Sequence, residues 1–276
     1  MTGKVIRTAA GCIAAAALLL PAIPGWGQEQ ATVGSEAAPS RSIDERADSI
    51  LKEMSTYLQG LPRFAFEAEE TFDEVDLRAP RIHLTNIRRI AVQRPDRFAA
   101  DAEGDTLNRS AWFDGRSITA LDKAQNRYVT VELAGTIDDA IELIEGEYGV
   151  AMPLADFLYS DPYAVLTEEI VYGEYLGIHR AAGVPCHHLA FAQRRIEWQI
   201  WIEAGERPLP RKLAIAYVEE PGTPQYMATI NRWSTEPEFP GDLFVFAAPE
   251  GAEEMDAAAL RKPAPAEGAV EGGEAQ

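Results

Sequence analysis

The chain has 276 residues, 44 acids against 25 bases and a formal net charge of −19 at pH 7. A polyanion of that size is repelled by nucleic acid and by anionic membrane surfaces, which excludes nucleic-acid binding. Two cysteines, Cys12 and Cys186, leave no disulfide framework to hold a fold, so a packed core has to do it.

The first residues read as an export signal. Lys4 and Arg7 precede an uncharged apolar run from Cys12 to Leu20, closed by Pro21 and followed by the small residues Gly25 and Gly27. The run falls short of the roughly 20 residues that cross a bilayer, so this is a cleaved secretory signal and not a transmembrane span. Cys12 stands at the beginning of the apolar run, not at its end, which separates Ala9-Ala10-Gly11-Cys12 from a lipobox. Cleavage after Gly27 leaves Gln28 first, Cys186 as the one remaining cysteine, and a bacterial periplasm as the expected destination. The expected organisation is a signal peptide over 1–27, a flexible linker over 28–41, a folded domain over 42–250 and a disordered acidic tail over 251–276.

The folded part opens on a helical stripe. Ala47, Ile50, Leu51, Met54, Tyr57 and Leu58 recur at i, i+3 and i+4, with Ser42 and Glu45 spaced as a capping box and Gly60 and Pro62 as a stop. Strand patterns follow at 64–70 and 82–88. A strand over 92–98 is interrupted by Arg94-Pro95-Asp96. Ser110 to Phe113 runs into Asp114-Gly115, the strongest hairpin signal in the chain, with a return strand at 118–121 and another strand at 127–133. Thr136 then caps a helix over 137–148, and a short helix over 154–159 is closed by Asp161-Pro162. Strands resume at 170–179, 186–193, 196–203, 212–219 and 225–233, separated by Gly- and Pro-rich turns. Short connections imply antiparallel neighbours. The expected fold is α+β: a strongly curved, mostly antiparallel, unclosed β-barrel with an N-terminal helix and a central helical lid over its open side.

Several segments carry a resemblance to a known family. They are Phe113-Asp114-Gly115, Tyr175-Leu176-Gly177, the run from Gly183 to Phe191, the run from Glu197 to Glu203, and Pro208-Leu209-Pro210-Arg211-Lys212. Together they resemble an uncharacterised family of predicted periplasmic proteins, a domain of unknown function, over roughly 47–252. The resemblance implies the unclosed barrel and helical lid of the lipoprotein carriers LolA and LolB. No carrier functional residue maps onto a position here.

Chemical motifs are sparse. Cys186, His187 and His188 fall in one strand, so the two histidines point to opposite faces and cannot chelate one ion together. Cys186 and His188 share a face at about 7 Å, and an exposed thiolate would oxidise in the periplasm. Glu67 and Glu69 share a face, but in a chain this acidic such pairs arise by chance. No Gly-x-Ser-x-Gly, phosphate loop or zinc-protease helix occurs. No metal, cofactor or catalytic residue is therefore expected.

The aromatic pattern is more informative. Trp198, Ile200 and Ile202 share one strand face and Trp201 takes the other; Trp112 and Phe113 likewise point opposite ways. A curved sheet with apolar residues on both faces packs against helices on one and lines a cavity on the other, or is covered on both, and the pattern leaves open which parity faces inward. The expected ligand-binding residues are Trp112 and Phe113, Phe157 and Leu158 of the lid, and Phe191, Trp198, Ile200, Trp201, Ile202, Tyr217 and Tyr226 of the later strands. The expected function is non-catalytic binding of a hydrophobic ligand, an acyl chain, lipid or lipidated molecule. The alternative is an envelope sensor or protein-interaction module on the same scaffold, with an envelope protein as partner.

Overall fold

A computed structural model describes residues 41–152 and 154–261. The expected signal peptide, nearly all of the linker and the last part of the expected tail lie outside these residues.

One sheet of thirteen strands organises the described residues. Ser42–Ile43 (β1) pairs parallel with Tyr172 and Gly173, and α1 (Glu45–Gln59) follows. Asp44, not Ser42, caps this helix: its Oδ1 accepts from the amides of Arg46 (2.9 Å) and Ala47 (3.0 Å). Ser42 is committed instead to the sheet, its amide donating to the Val171 carbonyl. The expected stripe is buried as Ala47, Ile50, Leu51, Met54 and Leu58.

The first half of the chain is a meander. Strands β2 (Arg63–Glu74) and β3 (Ile82–Gln93) pair along twelve residues each. The interrupted strand expected at 92–98 is two strands, because Arg94-Pro95-Asp96 turns the chain from β3 into β4 (Arg97–Gly104). Then come β5 (Asn108–Phe113), β6 (Ser117–Asp122) and β7 (Arg127–Glu132). The β5–β6 turn is the expected one: Asp114 Oδ1 accepts from the amides of Arg116 and Ser117. Gly115 has φ +88°, and a Cβ there would stand 2.9 Å from Asp96 Oδ2.

The helical interlude is α2 (Ile137–Leu143), a π-turn over Ile144–Tyr148, a 3₁₀ turn over Ala155–Phe157 and α3 (Pro162–Thr167). Thr136 and Asp139 form a capping box on α2. Asp161-Pro162, expected as a stop, starts α3: Asp161 accepts from the Ala164 amide and Pro162 sits in the first turn, where its missing N–H costs nothing.

The second half returns through β8 (Tyr172–Ala181), β9 (Val184–Ala192), β10 (Ile196–Glu203), β11 (Pro210–Tyr217) and β12 (Gln225–Ser234). β12 pairs antiparallel with β2, which joins the two halves. Residues 235–250 then form a strap that leads to β13 (Glu253–Glu254), parallel to β7, and a 3₁₀ turn at Ala257–Leu260. β1 and β13 end the sheet without meeting, so the barrel is unclosed, and only these two end pairings are parallel among the described residues. Strong curvature follows from the core: Phe113 and Ile118 of one half and Leu189 and Trp198 of the other join the same apolar cluster around α1 and the lid.

Candidate functional site

Alternation gives the sheet two different faces. The face beneath α1 and the lid carries the cross-strand row Phe64–Val92–Phe98–Phe113–Ile118 and a second row Phe191–Trp198–Ile215–Tyr226–Phe72. Phe191 stacks on Trp198 at 4.3 Å, and Gly173 opposite makes room, since a Cβ there would lie 2.6 Å from the Phe191 ring. The expected residues Phe113, Phe157, Leu158, Phe191, Trp198, Ile200, Ile202, Tyr217 and Tyr226 all meet in this one cluster. Phe113, Phe157, Ile200 and Ile202 are fully buried in it.

Polar groups inside that cluster are few and specific. Glu70 Oε1 accepts from Arg88 Nε (2.7 Å) and from the Tyr226 hydroxyl (2.8 Å), with both members of the ion pair almost entirely buried. The indole Nε1 of Trp198 is buried without a partner among the described residues, as are Nε and Nη2 of Arg94. Arg94 spans from the sheet to the lid: its Nη1 donates to the Leu158 carbonyl at 2.7 Å, and burial holds its pKa below the usual value.

The lid packs into the cluster and is also hydrogen-bonded at its rim. The Ile137 amide donates to the Pro95 carbonyl (2.9 Å), and Asp138 accepts from the Ser160 amide and hydroxyl (2.9 and 2.6 Å). On the α1 side the Tyr163 amide donates to Ser55 Oγ and its hydroxyl to Asp48. Within the lid, burial and the nearby charge of Glu145 push the carboxyl of Asp156 up to about 7.

His187 faces α1, within 3.1 Å of the Tyr175 hydroxyl, whose ring lies under Arg46. His188 takes the opposite face, stacked on Trp201 at 4.0 Å. With its Nε2 donating to Gln199 Oε1 (2.9 Å), neutral His188 accepts at Nδ1 from His179 Nδ1 (2.8 Å). Burial lowers the pKa of both His187 and His188. The Cys186 thiol is buried, its pKa is raised by that burial, and its Sγ turns to the Val184 carbonyl. Among the described residues no group of three His, Cys, Asp or Glu could hold a metal ion.

Trp201 and Trp112 belong to the second face, which α1 and the lid leave uncovered. Here Ala65, Ala91 and Ala99 lie side by side on β2, β3 and β4, with Trp112 next on β5. The following row is charged: Glu67, Arg89 and Asp101, then Ser110. The strap crosses this face, with Phe246 against Trp112 (5.2 Å) and Tyr128 (4.9 Å). Between strap and sheet remains a cleft of about 550 Å³, lined also by Trp233 and Leu243. The aromatic pattern singles out Trp112 but passes over the alanines. Their signal is the small residue opposing large ones in Phe64-Ala65-Phe66, Ile90-Ala91-Val92 and Phe98-Ala99.

An open sheet wrapped on an apolar interior, with a helical lid over it, defines a class of β-scaffold that encloses apolar space. The chain belongs to the family described as "Predicted periplasmic protein (DUF2092)", which matches residues 47–257. It is thus a periplasmic protein by family. No curated protein matches the sequence. Among solved structures, an uncharacterised conserved protein from Thermus thermophilus is similar at TM-score 0.46 and 8% identity, over 76% of this chain and 99% of that one. The Pseudomonas aeruginosa MucA/MucB complex is similar at TM-score 0.40 and 15% identity, over 79% of this chain and 62% of that one. A LolA superfamily protein from Nitrosomonas europaea follows at TM-score 0.38 and 7% identity, over 72% and 97%.

Proposed function

We propose that this protein is a non-catalytic periplasmic binding protein for a hydrophobic ligand, an acyl chain or lipid-like molecule, taken between lid and sheet. One observation carries the reading: a single apolar interior, closed by a lid that is pinned to its surroundings by rim hydrogen bonds at Pro95, Arg94, Ser55 and Asp48. The buried, unpartnered Trp198 Nε1 adds support, because an orphaned donor costs free energy that a polar ligand atom or a water would recover. Phe113, Phe157, Leu158, Phe191 and Trp198 are the residues that would exchange contacts with one another for contacts with the ligand. Affinity would come from apolar area removed from water, about 25 cal/mol per Å² before ordering costs.

Native mass spectrometry of protein purified gently from a periplasm, followed by solvent extraction, tests this. A discrete extra mass that extracts as lipid is the expected result. A bare chain that takes up neither fatty acid nor phospholipid overturns the reading, and crosslinking for an envelope partner becomes the next experiment.

A further inference from the structure

We infer that the cleft between strap and sheet is a second ligand site, distinct from the lid-covered interior, and that it takes an uncharged apolar molecule. The space is open and of useful size: about 550 Å³, within the roughly 300–1,000 Å³ usual for small-molecule pockets. Its floor is one cross-strand row, Ser234–Ala65–Ala91–Ala99–Trp112, on five adjacent strands. That row spans about 19 Å at the usual strand spacing, long enough for an extended chain or a fused ring system. Alanine at its three central positions leaves the strands bare, where a β-branched or aromatic residue would close the gap. Trp112 stands as an apolar wall and Leu243 of the strap as a roof.

The charges beside the floor decide the class of ligand. Arg89 pairs with Glu67 (3.0 Å), Asp101 (3.5 Å) and Glu103 (2.8 Å). Glu67 is held from its other side by Arg232 (3.3 Å), and Asp101 by Lys123 (2.6 Å) and the Ser110 hydroxyl (2.6 Å). Each charge in that row already has a counter-ion in place, so an ionic head group would break a pair to gain one. A neutral molecule lies on the alanines and leaves the ladder intact.

The experiment compares 1-dodecanol with dodecanoate, measured by calorimetry on the full chain, in wild type, in Ala99→Leu and in the lid variant Phe157→Ala. Leucine at 99 fills the floor of the cleft from the solvent side and leaves the interior untouched; Ala91→Leu repeats the test should Ala99→Leu melt early. Dodecanol is expected to bind at least tenfold more tightly than dodecanoate and to lose at least tenfold in Ala99→Leu, while Phe157→Ala reports on the lid-covered interior. Unchanged dodecanol affinity in both alanine variants, or equal affinity for alcohol and carboxylate, overturns the second site. Loss confined to Phe157→Ala does so too, while leaving the lid-covered interior as the place of binding. No binding of either probe to any protein overturns the second site and the proposed function together.

Discussion

The same strands build two unlike surfaces. On β2 the residues under the helices are Phe64, Phe66 and Ala68, and those facing the strap are Ala65, Glu67 and Glu69. β3 and β4 repeat the contrast, with Val92 and Phe98 on one side and Ala91 and Ala99 on the other. The helix side is packed, almost dry, and keeps its ion pair, Glu70–Arg88, out of water. The strap side is wet, with a charged ladder whose arginines stay largely exposed. Burial sets the energetic weight of otherwise similar contacts, so an Arg–Glu pair on one face is worth something different from an Arg–Glu pair on the other.

The largest effect separates those two pairs. Glu70→Ala strands Arg88 in the core and is expected to cost about 3–5 kcal/mol in urea unfolding. Arg89→Ala on the strap side is expected to cost under about 1 kcal/mol. Comparable losses would mean that the faces do not differ in dielectric terms.

Next comes packing. Phe113→Ala opens a cavity at a fully buried position and is expected to cost about 3–5 kcal/mol. Its neighbour Trp112, half-buried against Phe246, should lose less than about 2 kcal/mol on change to Ala despite being the larger residue. The reverse order would place the true core on the strap side.

At the lid, Thr136→Ala removes the capping box and is expected to cost about 1 kcal/mol, seen as faster hydrogen exchange in α2 ahead of the sheet.

Two sets of titrating groups act on stability with opposite signs in pH. His187 and His188 have folded pKa values below their unfolded value of about 6.5. Their contribution is complete above that pH and is lost as pH falls below it. Asp156 has a folded pKa of about 7 against about 3.9 unfolded, so its contribution is complete below about 4 and is lost as pH rises toward 7. Thermal melts from pH 4 to 8 are expected to lose the acid-side slope partly in His188→Gln, and the slope between 4 and 7 in Asp156→Asn. A profile unchanged in both variants would place the titrating groups elsewhere.

Local signals in the sequence are legible where one residue type forces one geometry. Asp114-Gly115 specifies its hairpin, and the β10 alternation places Trp198 and Trp201 on opposite faces over the residues observed. Errors arise where two elements compete for one residue. Ser42 suits a cap, but β1 claims it for the sheet and the cap passes to Asp44. Asp161-Pro162 fits a helix stop as well as a helix start, and only the position of α3 beside α1 distinguishes them. The direction of each face is out of reach, because parity is a local property and inside is a global one. That is why Trp112 and Trp201 group, by sequence, with residues on the other side of the sheet. The cleft escapes notice for a related reason: alanine leaves no mark in a hydrophobic pattern, and its meaning appears only when three strands align their alanines.

One detail of the sheet edge bears on how such a chain survives export. Among the described residues β1 pairs only with Tyr172 and Gly173, so the rest of β8 has no strand on that side there, and Leu176 and Ile178 are exposed. A straight apolar edge of that kind is a template for another molecule's backbone. Tyr175 pairs with Leu189 and Gly177 with His188, leaving Leu176 between them as a bulge that throws the edge out of register. A bulge placed on an edge strand breaks the regular ladder that another chain would pair with. Deleting Leu176 is expected to restore the register with β9 and to raise self-association, read by light scattering.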